Sequence, residues 1–507
     1  MKPRFFVAVP VIVSLLACVG GATLGTNEAG GDGWLDHEAP GTEAEELEGD
    51  GRCDWTGNPY VGVTEERAYA LLSQSVAGDC AELPDDVVPD RKTVWGMRAG
   101  ETVPELLLDV TGHDDVRLLD TASGLLLMGQ LSDEQEALYV LDHHSLEVTA
   151  QREVDARYWG TRTAPSRRYV VVADNAHPQL PLTVIDPDTL TTASVQDIEG
   201  WGEAMWAQQR DRLAAITWDD EFEEARLQVW DFTSTGLVAK GEPGPGGRTA
   251  SMPAPMTDVS VDALPLFGMG FTWIGWHPDD ALVAFPVVDM DGDHELLLLD
   301  VDSGEVRHVP DAAGPVSFTP DGSTLVAWDP QRDTELVLVD PVTLETERFP
   351  LTLEGTPSWF VSHDGNQVVV ADAFGEDQLQ IIDLDTGAST TLDARLPLST
   401  MTVREGHDEV WLTHEGLWRI DLVDAVAEEV PLDWTPEHVV WMPDSDLLYL
   451  DDAQRPRMVF WDPTLGATLT SVNLTGGEDR PAALLDLSRP VARGPGVLGG
   501  MGFPYIR

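Results

Sequence analysis

Four carboxylates alternate along VVDMDGDHELLLLD: Asp289, Asp291 and Asp293, followed by Glu295. Hard anionic oxygens at every second residue of a short loop are the ligands calcium selects, because that ion gathers many oxygens at irregular angles. The same residues also make an acidic hairpin tip, as SDEQE near Asp133 and DDEFEE near Asp219 do elsewhere in the chain, so a cation loop and a solvated turn are both carried forward. Histidines offer a second chemistry. His143 and His144 follow Asp142 directly, and His363 and His407 fall at other turn signals, a scatter commoner among turn residues than in metal clusters. HExxH, GxSxG and CxxC motifs and a Gly-rich dinucleotide fingerprint are missing, so the chemistries that depend on them lack their parts. Gly244, Gly246 and Gly247 precede Arg248-Thr249, but the lysine and spacing of a phosphate-cradling loop are not there.

The elements that would position these residues announce themselves by repetition. LYVLDHHSLE, LTVIDPDTLT, LQVWDFTSTG, LLLLDVDSGE, LVLVDPVTLE, LQIIDLDTGA, LWRIDLVDAV and MVFWDPTLGA share an apolar run that stops at an aspartate and turns. Their aspartates are Asp142, Asp186, Asp231, Asp300, Asp340, Asp383, Asp421 and Asp462, spaced by 44, 45, 69, 40, 43, 38 and 41 residues. A period near forty with one interruption marks a repeat architecture. Upstream of these runs, WHPDDALVAF, FTPDGSTLVAW, VSHDGNQVVVA and WMPDSDLLYL each read as strand, tight turn and second strand. The unit is therefore strand, turn, strand, variable acidic connection, apolar strand ending in Asp, turn and a more polar outer strand. Four antiparallel strands per unit make a propeller blade. The third strand is apolar at consecutive positions because a blade is buried on both faces by its neighbours. Its terminal aspartate is predicted to accept backbone N–H groups beyond it, with a Gly supplying the left-handed reversal. A residue repeated around a ring does not define a single asymmetric site, so these eight aspartates are expected to form turns.

The phrase of Pro-Asp-Gly turn, two strands and Asp before Thr-Gly resembles the superfamily of YVTN-type, Tol-type and WD-repeat β-propellers, over about residues 93–474. Trp230-Asp231 and Trp461-Asp462 reproduce the WD dipeptide without its companion Gly-His. Such a resemblance implies fold and leaves activity open, since these propellers include scaffolds, receptors, lactonases and quinoprotein dehydrogenases. The tryptophan docking signature of quinoprotein blades is missing after Gly304 and Gly387. The loop from Asp289 to Glu295 is similar to the DxDGDG calcium loops of FG-GAP propellers, with His294 where a glycine would permit the tight bend. The expected fold is an all-β, eight-bladed propeller over 92–476. A seven-bladed ring remains the alternative if residues 92–108 only complete one unit. The 69-residue interval holds GEPGPGGRTASMPAPMTD, so residues 241–268 read as an exposed Pro/Gly-rich insertion before the fourth blade. Trp273, Trp276, Trp359, Trp411 and Trp441 fall on or beside first strands, where large rings fill gaps between blades, whereas Trp201 and Trp206 are placed in an interblade connection open to one mouth.

Outside the repeat the chain carries addressing signals. Lys2 and Arg4 precede an apolar run from Phe5 to Ala17, too short to span a bilayer and typical of an export signal. Leu15-Leu16-Ala17-Cys18 resembles the bacterial lipobox, which implies cleavage after residue 17 and acylation of Cys18. By the same resemblance, Val19 in place of Asp implies the outer membrane. Residues 18–51 are Gly-, Glu- and Asp-rich and read as a flexible tether. Cys53 and Cys80 then form an even pair in an oxidising compartment, and a disulfide joining them is expected. They bracket Thr64-Glu65-Glu66-Arg67, which reads as a helix start continuing to Ser75, so residues 52–91 are predicted as a small helical segment and 477–507 as a tail.

Charge bounds the partners. The 507 residues hold 30 basic and 89 acidic side chains, a formal charge of −59, and Lys2, Lys92 and Lys240 are the three lysines. Such a surface excludes nucleic acid as a partner and fits either a saline habitat or an arginine-favouring genome. The function expected from sequence is non-catalytic binding of a protein or envelope ligand by one propeller face. A periplasmic, calcium-dependent hydrolase of lactonase type is the alternative.

Overall fold

The computed structural model describes residues 56–473, apart from 64–66, 74–91, 99–104 and interior stretches of eight residues or fewer between strands. Cys18, Cys53, Cys80, the tether and the tail lie outside the described residues. No helix occurs among those described, and hence none long and apolar enough to cross a membrane.

Each aspartate-marked phrase folds as one blade, giving an eight-bladed propeller; six of the eight are four-stranded, blade four has five strands and blade two has six. Blade five is representative: Ala313–Phe318, Leu325–Trp328, Glu335–Val339 and Thr346–Pro350 pair in sequence order. The third strand is the most buried, as its double-sided packing requires. In blade four, Leu296 and Leu298 enter the core shared with blade five, while Leu297 and Leu299 enter the core shared with blade three. At roughly 1.5–3 kcal/mol per fully buried aliphatic side chain, this alternation makes the third strand the main cohesive element of a blade. First strands of successive blades touch, for instance Gly200–Trp206 of blade three against Tyr158–Thr163 of blade two and against Gly275–Trp276 of blade four, so they form the inner ring about the axis.

The segment predicted to be helical is β-structure instead. Thr56–Val63 and Arg67–Ser73 pair with each other and then with Lys92–Arg98 and Glu105–Asp109, making a further, four-stranded sheet, the ninth among the described residues. Ala68 and Met97 of this sheet share a core with Met442, Tyr449 and Phe460 of blade eight, and Val94 shares one with Val116 and Leu125 of blade one. The sheet thus closes the ring between the last blade and the first. Thr64 with following acids imitates a helix start, but apolar Ala68, Ala70 and Leu72 alternate along the strand, and packing between two blades decides the outcome over local capping preference. The sequence boundary at residue 92 therefore cuts through a sheet, and residues 92–108 do not complete one of the eight repeats.

The insertion also differs from its sequence reading. It lies inside blade three, between the third strand, Ala225–Asp231, and the outer strand, Thr257–Val261. Val238–Gly244 and Gly247–Ser251 form a hairpin that crosses to blade two, where Thr249 pairs in parallel with Thr192 of the outer strand Thr191–Ser194. Blade two becomes six-stranded, and its new edge strand carries Lys240 and Pro243, residue types that discourage further strand pairing.

Candidate functional site

The aspartate turns are built as the sequence predicts. Asp142 accepts the N–H of Ser145 at 2.8 Å, Asp186 that of Asp188 at 2.9 Å and Asp231 that of Thr233 at 2.8 Å. Asp300 takes both the N–H and the hydroxyl of Ser303, and Asp383 those of Thr386. Asp340, Asp421 and Asp462 each accept two successive N–H groups. The residue four places after the aspartate is left-handed in six blades: Leu190, Gly304, Leu344, Gly387, Ala425 and Gly466. Hydrogen bonding to the ionised form holds Asp300, Asp340 and Asp383 below the ordinary carboxylate range, led by the Ser303 N–H, the Thr343 N–H and the Thr386 hydroxyl respectively. At Asp231 burial pushes upward, but Thr233 and Arg212 together outweigh it. At Asp186 burial prevails and the carboxyl is raised.

The tight turns after the first strands link blade to blade at this same end. Arg167 reaches Asp120 at 2.6 Å, the N–H of Ser166 donates to Asp211 at 2.9 Å, and the imidazole of His277 meets the carbonyl of Gly322 at 3.1 Å. Asp280, fully buried and left-handed, accepts the N–H of Gln208 at 3.2 Å, and its own carbonyl takes Arg212 at 3.0 Å. Its second oxygen has no hydrogen-bond partner, and burial raises its pKa. Carboxylates at this end of the ring are spent on holding it together. Indoles contribute too: Trp206 donates to the carbonyl of Arg162 at 3.0 Å and Trp276 to that of Met205 at 2.9 Å, each bridging to the preceding blade. Trp206 packs with Tyr169 and Phe232 and is not at a mouth.

The opposite end is where second strands connect to third strands, and the expected cation loop falls there. Asp291 and the side chain of Asp289 lie outside the described residues. Asp293 is exposed, and Glu295 faces His308 at 3.1 Å. His143, one of the histidines at the turn signals, bonds the carbonyl of Thr121 at 2.9 Å. Among the described residues, no group of three His, Cys, Asp or Glu side chains is placed to hold a metal ion.

At this end a cavity of about 280 Å³ opens beside blade seven and the connection leading to blade eight, lined by Glu415, Gly416, Glu429, Asp433 and Trp434. Leu417 pairs with Val430, which brings the connection holding Glu415 beside the end of the outer strand holding Glu429. A Cβ on Gly416 would lie 3.0 Å from the Glu429 carboxylate, so the glycine lets that carboxylate sit close against the connection. Three exposed carboxylates thus share a cleft with an indole, and the Arg457 guanidinium stacks 4.2 Å above the Trp434 ring. Acidic side chains beside an aromatic face suit a cationic group, by Coulomb attraction and cation–π contact together. Sequence reading missed this cleft because its parts lie in two separate connections of blade seven and resemble ordinary turn residues.

An inner and buried layer of polar groups supports both ends. Glu136, fully buried, joins Arg117 at 2.7 Å to the N–H of Tyr158 in the next blade at 2.6 Å. His438 and Asp451 form a buried pair in blade eight, Nδ1 to carboxylate at 2.5 Å, with the His438 N–H on the other oxygen at 2.6 Å.

No protein-family profile and no curated protein sequence matches the chain. Solved structures of similar fold include the dihydro-heme d1 dehydrogenase NirN in complex with DHE, at 14% identity and a TM-score of 0.44, covering 72% of this chain and 76% of that one. The β-propeller domain of Myceliophteria thermophila Cps50 (Swd1) matches at 14% identity and 0.36, covering 61% and 97%. TolB from Acinetobacter baumannii matches at 14% and 0.31, covering 63% and 79%. The eight-bladed β-propeller expected from the repeat phrase is the fold observed.

Proposed function

We propose that this protein is an exported, lipid-anchored scaffold of the bacterial cell envelope that binds a basic partner protein on the ring face opposite the aspartate turns. The cleft of Glu415, Glu429, Asp433 and Trp434 carries this reading. Its groups fit a lysine or arginine side chain. The connections between second and third strands on the same face carry DDEFEE and DMDGD, so a basic partner would be steered toward the cleft from a distance set by salt. Acylation at Cys18 with a tether to residue 51 would hold the ring near a membrane while leaving that face free to turn.

The test compares the wild type with a triple variant, Glu415→Gln, Glu429→Gln and Asp433→Asn, as bait in solubilised envelope at two salt concentrations. The wild type should retain a basic protein that 0.5 M salt, which shortens the Debye length to about 4 Å, displaces. The variant should lose it. Retention by the variant at unchanged salt dependence would defeat the assignment.

A further inference from the structure

The cleft of Glu415, Glu429, Asp433 and Trp434 lies next to the place where the chain leaves the described residues. Asn473 ends the outer strand of blade eight, Ala467–Asn473, and pairs with Arg457, whose guanidinium lies over the Trp434 ring. Trp434 lines the cleft, so the chain beyond Asn473 sets out beside it. The carboxylates of the cleft are also open to a partner. Glu409, Asp421 and Glu428 of the same blade share Arg419, but among the described residues no arginine, lysine or histidine reaches Glu415, Glu429 or Asp433.

The sequence that follows Asn473 carries the complementary charge. Acids outnumber bases 89 to 30 in the whole chain, yet residues 487–507 hold no acid and three arginines, Arg489, Arg493 and Arg507. Outside residues 1–27, no acid-free run is longer. The stretch SRPVAR, residues 488–493, sets two of those cations four apart. From Asn473 to Arg489 the extended chain spans up to about 55 Å, ample for a return to a cleft that begins two side chains away.

We propose that residues 488–493 occupy this cleft intramolecularly, Arg489 and Arg493 meeting the carboxylates of Glu415, Glu429 and Asp433, so that a basic partner binds by displacing them. The proposal rests on the reading of the cleft as a cation site. A guanidinium suits it, because its planar fork takes a carboxylate in bidentate fashion and its face stacks on an indole. Exposed ion pairs are individually weak, but a short tether presents the arginines at an effective concentration on the order of 1 mM. Against a Kd of about 0.1 mM for the same segment as a free peptide, the tethered copy weakens an external ligand roughly tenfold.

The test uses the full chain, with a fluorescein-labelled peptide of residues 487–496 as probe and fluorescence anisotropy as readout. The chain carrying Arg489→Gln and Arg493→Gln should bind the probe about tenfold more tightly than the wild type. Adding Glu415→Gln, Glu429→Gln and Asp433→Asn to that pair should abolish binding. Equal affinity in the wild type and the Arg489→Gln, Arg493→Gln chain, with binding still dependent on the three acids, overturns the proposal and leaves the cleft as a cation site. Probe binding that survives loss of the three acids, or is missing from both chains, removes the cation site and the proposal together. A difference that grows with protein concentration, alongside a dimer in light scattering, assigns the cleft to the segment of a second copy and overturns the intramolecular contact. A second measurement keeps every charge. Arg489→Lys with Arg493→Lys, treated with a carbodiimide, should form an amide between position 489 or 493 and Glu415, Glu429 or Asp433 of the same chain. Peptide mass spectrometry reads this cleanly, since Lys2, Lys92 and Lys240 are the only other lysines. Cross-links from 489 and 493 spread over acids elsewhere overturn the proposal.

Discussion

Gly387→Ala is expected to destabilise the ring more than Gly466→Ala, although both glycines stand four residues after a turning aspartate. Their backbones are alike, with φ of 68° and 60°. An L side chain in this region costs about 1–2 kcal/mol. The restricted unfolded chain returns about 0.4–1 kcal/mol of that. At Gly466 a Cβ meets nothing within 4 Å, so the net cost stays near 1 kcal/mol or below. At Gly387 the Cβ would lie 2.5 Å from Phe349 Cε1, and Phe349 is buried in the core between blades five and six. Overpacking of that kind adds about 1–3 kcal/mol. Ala425→Gly supplies the reverse arm: its φ of 49° already bears the left-handed cost, so the change should be neutral or stabilising within about 1 kcal/mol. Urea unfolding followed by tryptophan fluorescence gives the midpoints, compared at equal slope. Equal losses at Gly387 and Gly466, or a loss at Ala425→Gly as large as at Gly466→Ala, would refute the account of the turn.

Three further outcomes follow from the charged groups. Asp231, Asp300, Asp321, Asp340, Asp364 and Asp383 titrate below the ordinary value of 3.8 in the folded chain, so their contribution is complete above that value and is lost as pH falls beneath it. Asp186 and Asp280 are raised and act oppositely, favouring the fold below 3.8 and losing that contribution as pH rises through their folded values; acid titration by circular dichroism should therefore show unfolding set by the larger group, beginning below about pH 4. Asp451→Ala should cost about 2–5 kcal/mol in the same urea assay, since it strands two buried donors of His438, and a change under 1 kcal/mol would contradict the pairing. Adding calcium should raise the melting temperature only if the carboxylates from Asp289 to Glu295 converge on the ion; Asp291→Asn abolishing such a shift would support that loop, and identical curves with calcium and with chelator would remove it.

The eight turns were legible because one local interaction, a short carboxylate accepting N–H groups just beyond it, was repeated at a fixed period. Asp340 and Asp462 show it with no Thr-Gly following, so the carboxylate and not the glycine carries the signal. Leu190, Leu344 and Ala425 adopt the left-handed conformation that glycine was expected to supply, because the flanking strands fix the chain reversal whatever residue stands there. The closing sheet was misread since Thr64 and its acidic followers obey local capping rules, while the partners that make Ala68 and Met97 core residues lie some 400 positions away in blade eight. The same distance hid the hairpin's transfer to blade two: proline and glycine mark turns in a sequence without saying which sheet the intervening residues join. Trp206 was misplaced for a related reason, because WGEAMW reads as a connection until Leu213 and Trp230 are seen to flank it.

The sheet ending at Asp109 is among the first parts of the folded chain to be synthesised, and it must wait for Asn473 before its second flank finds a neighbour. Until the very last repeat arrives, therefore, the apolar wall beside Met97 stays bare, because Met442, Tyr449 and Phe460 that cover it belong to that repeat. Holdase assistance and quality-control proteolysis would both act in that interval, and a message truncated in its final tenth would yield an open, sticky arc in place of a ring.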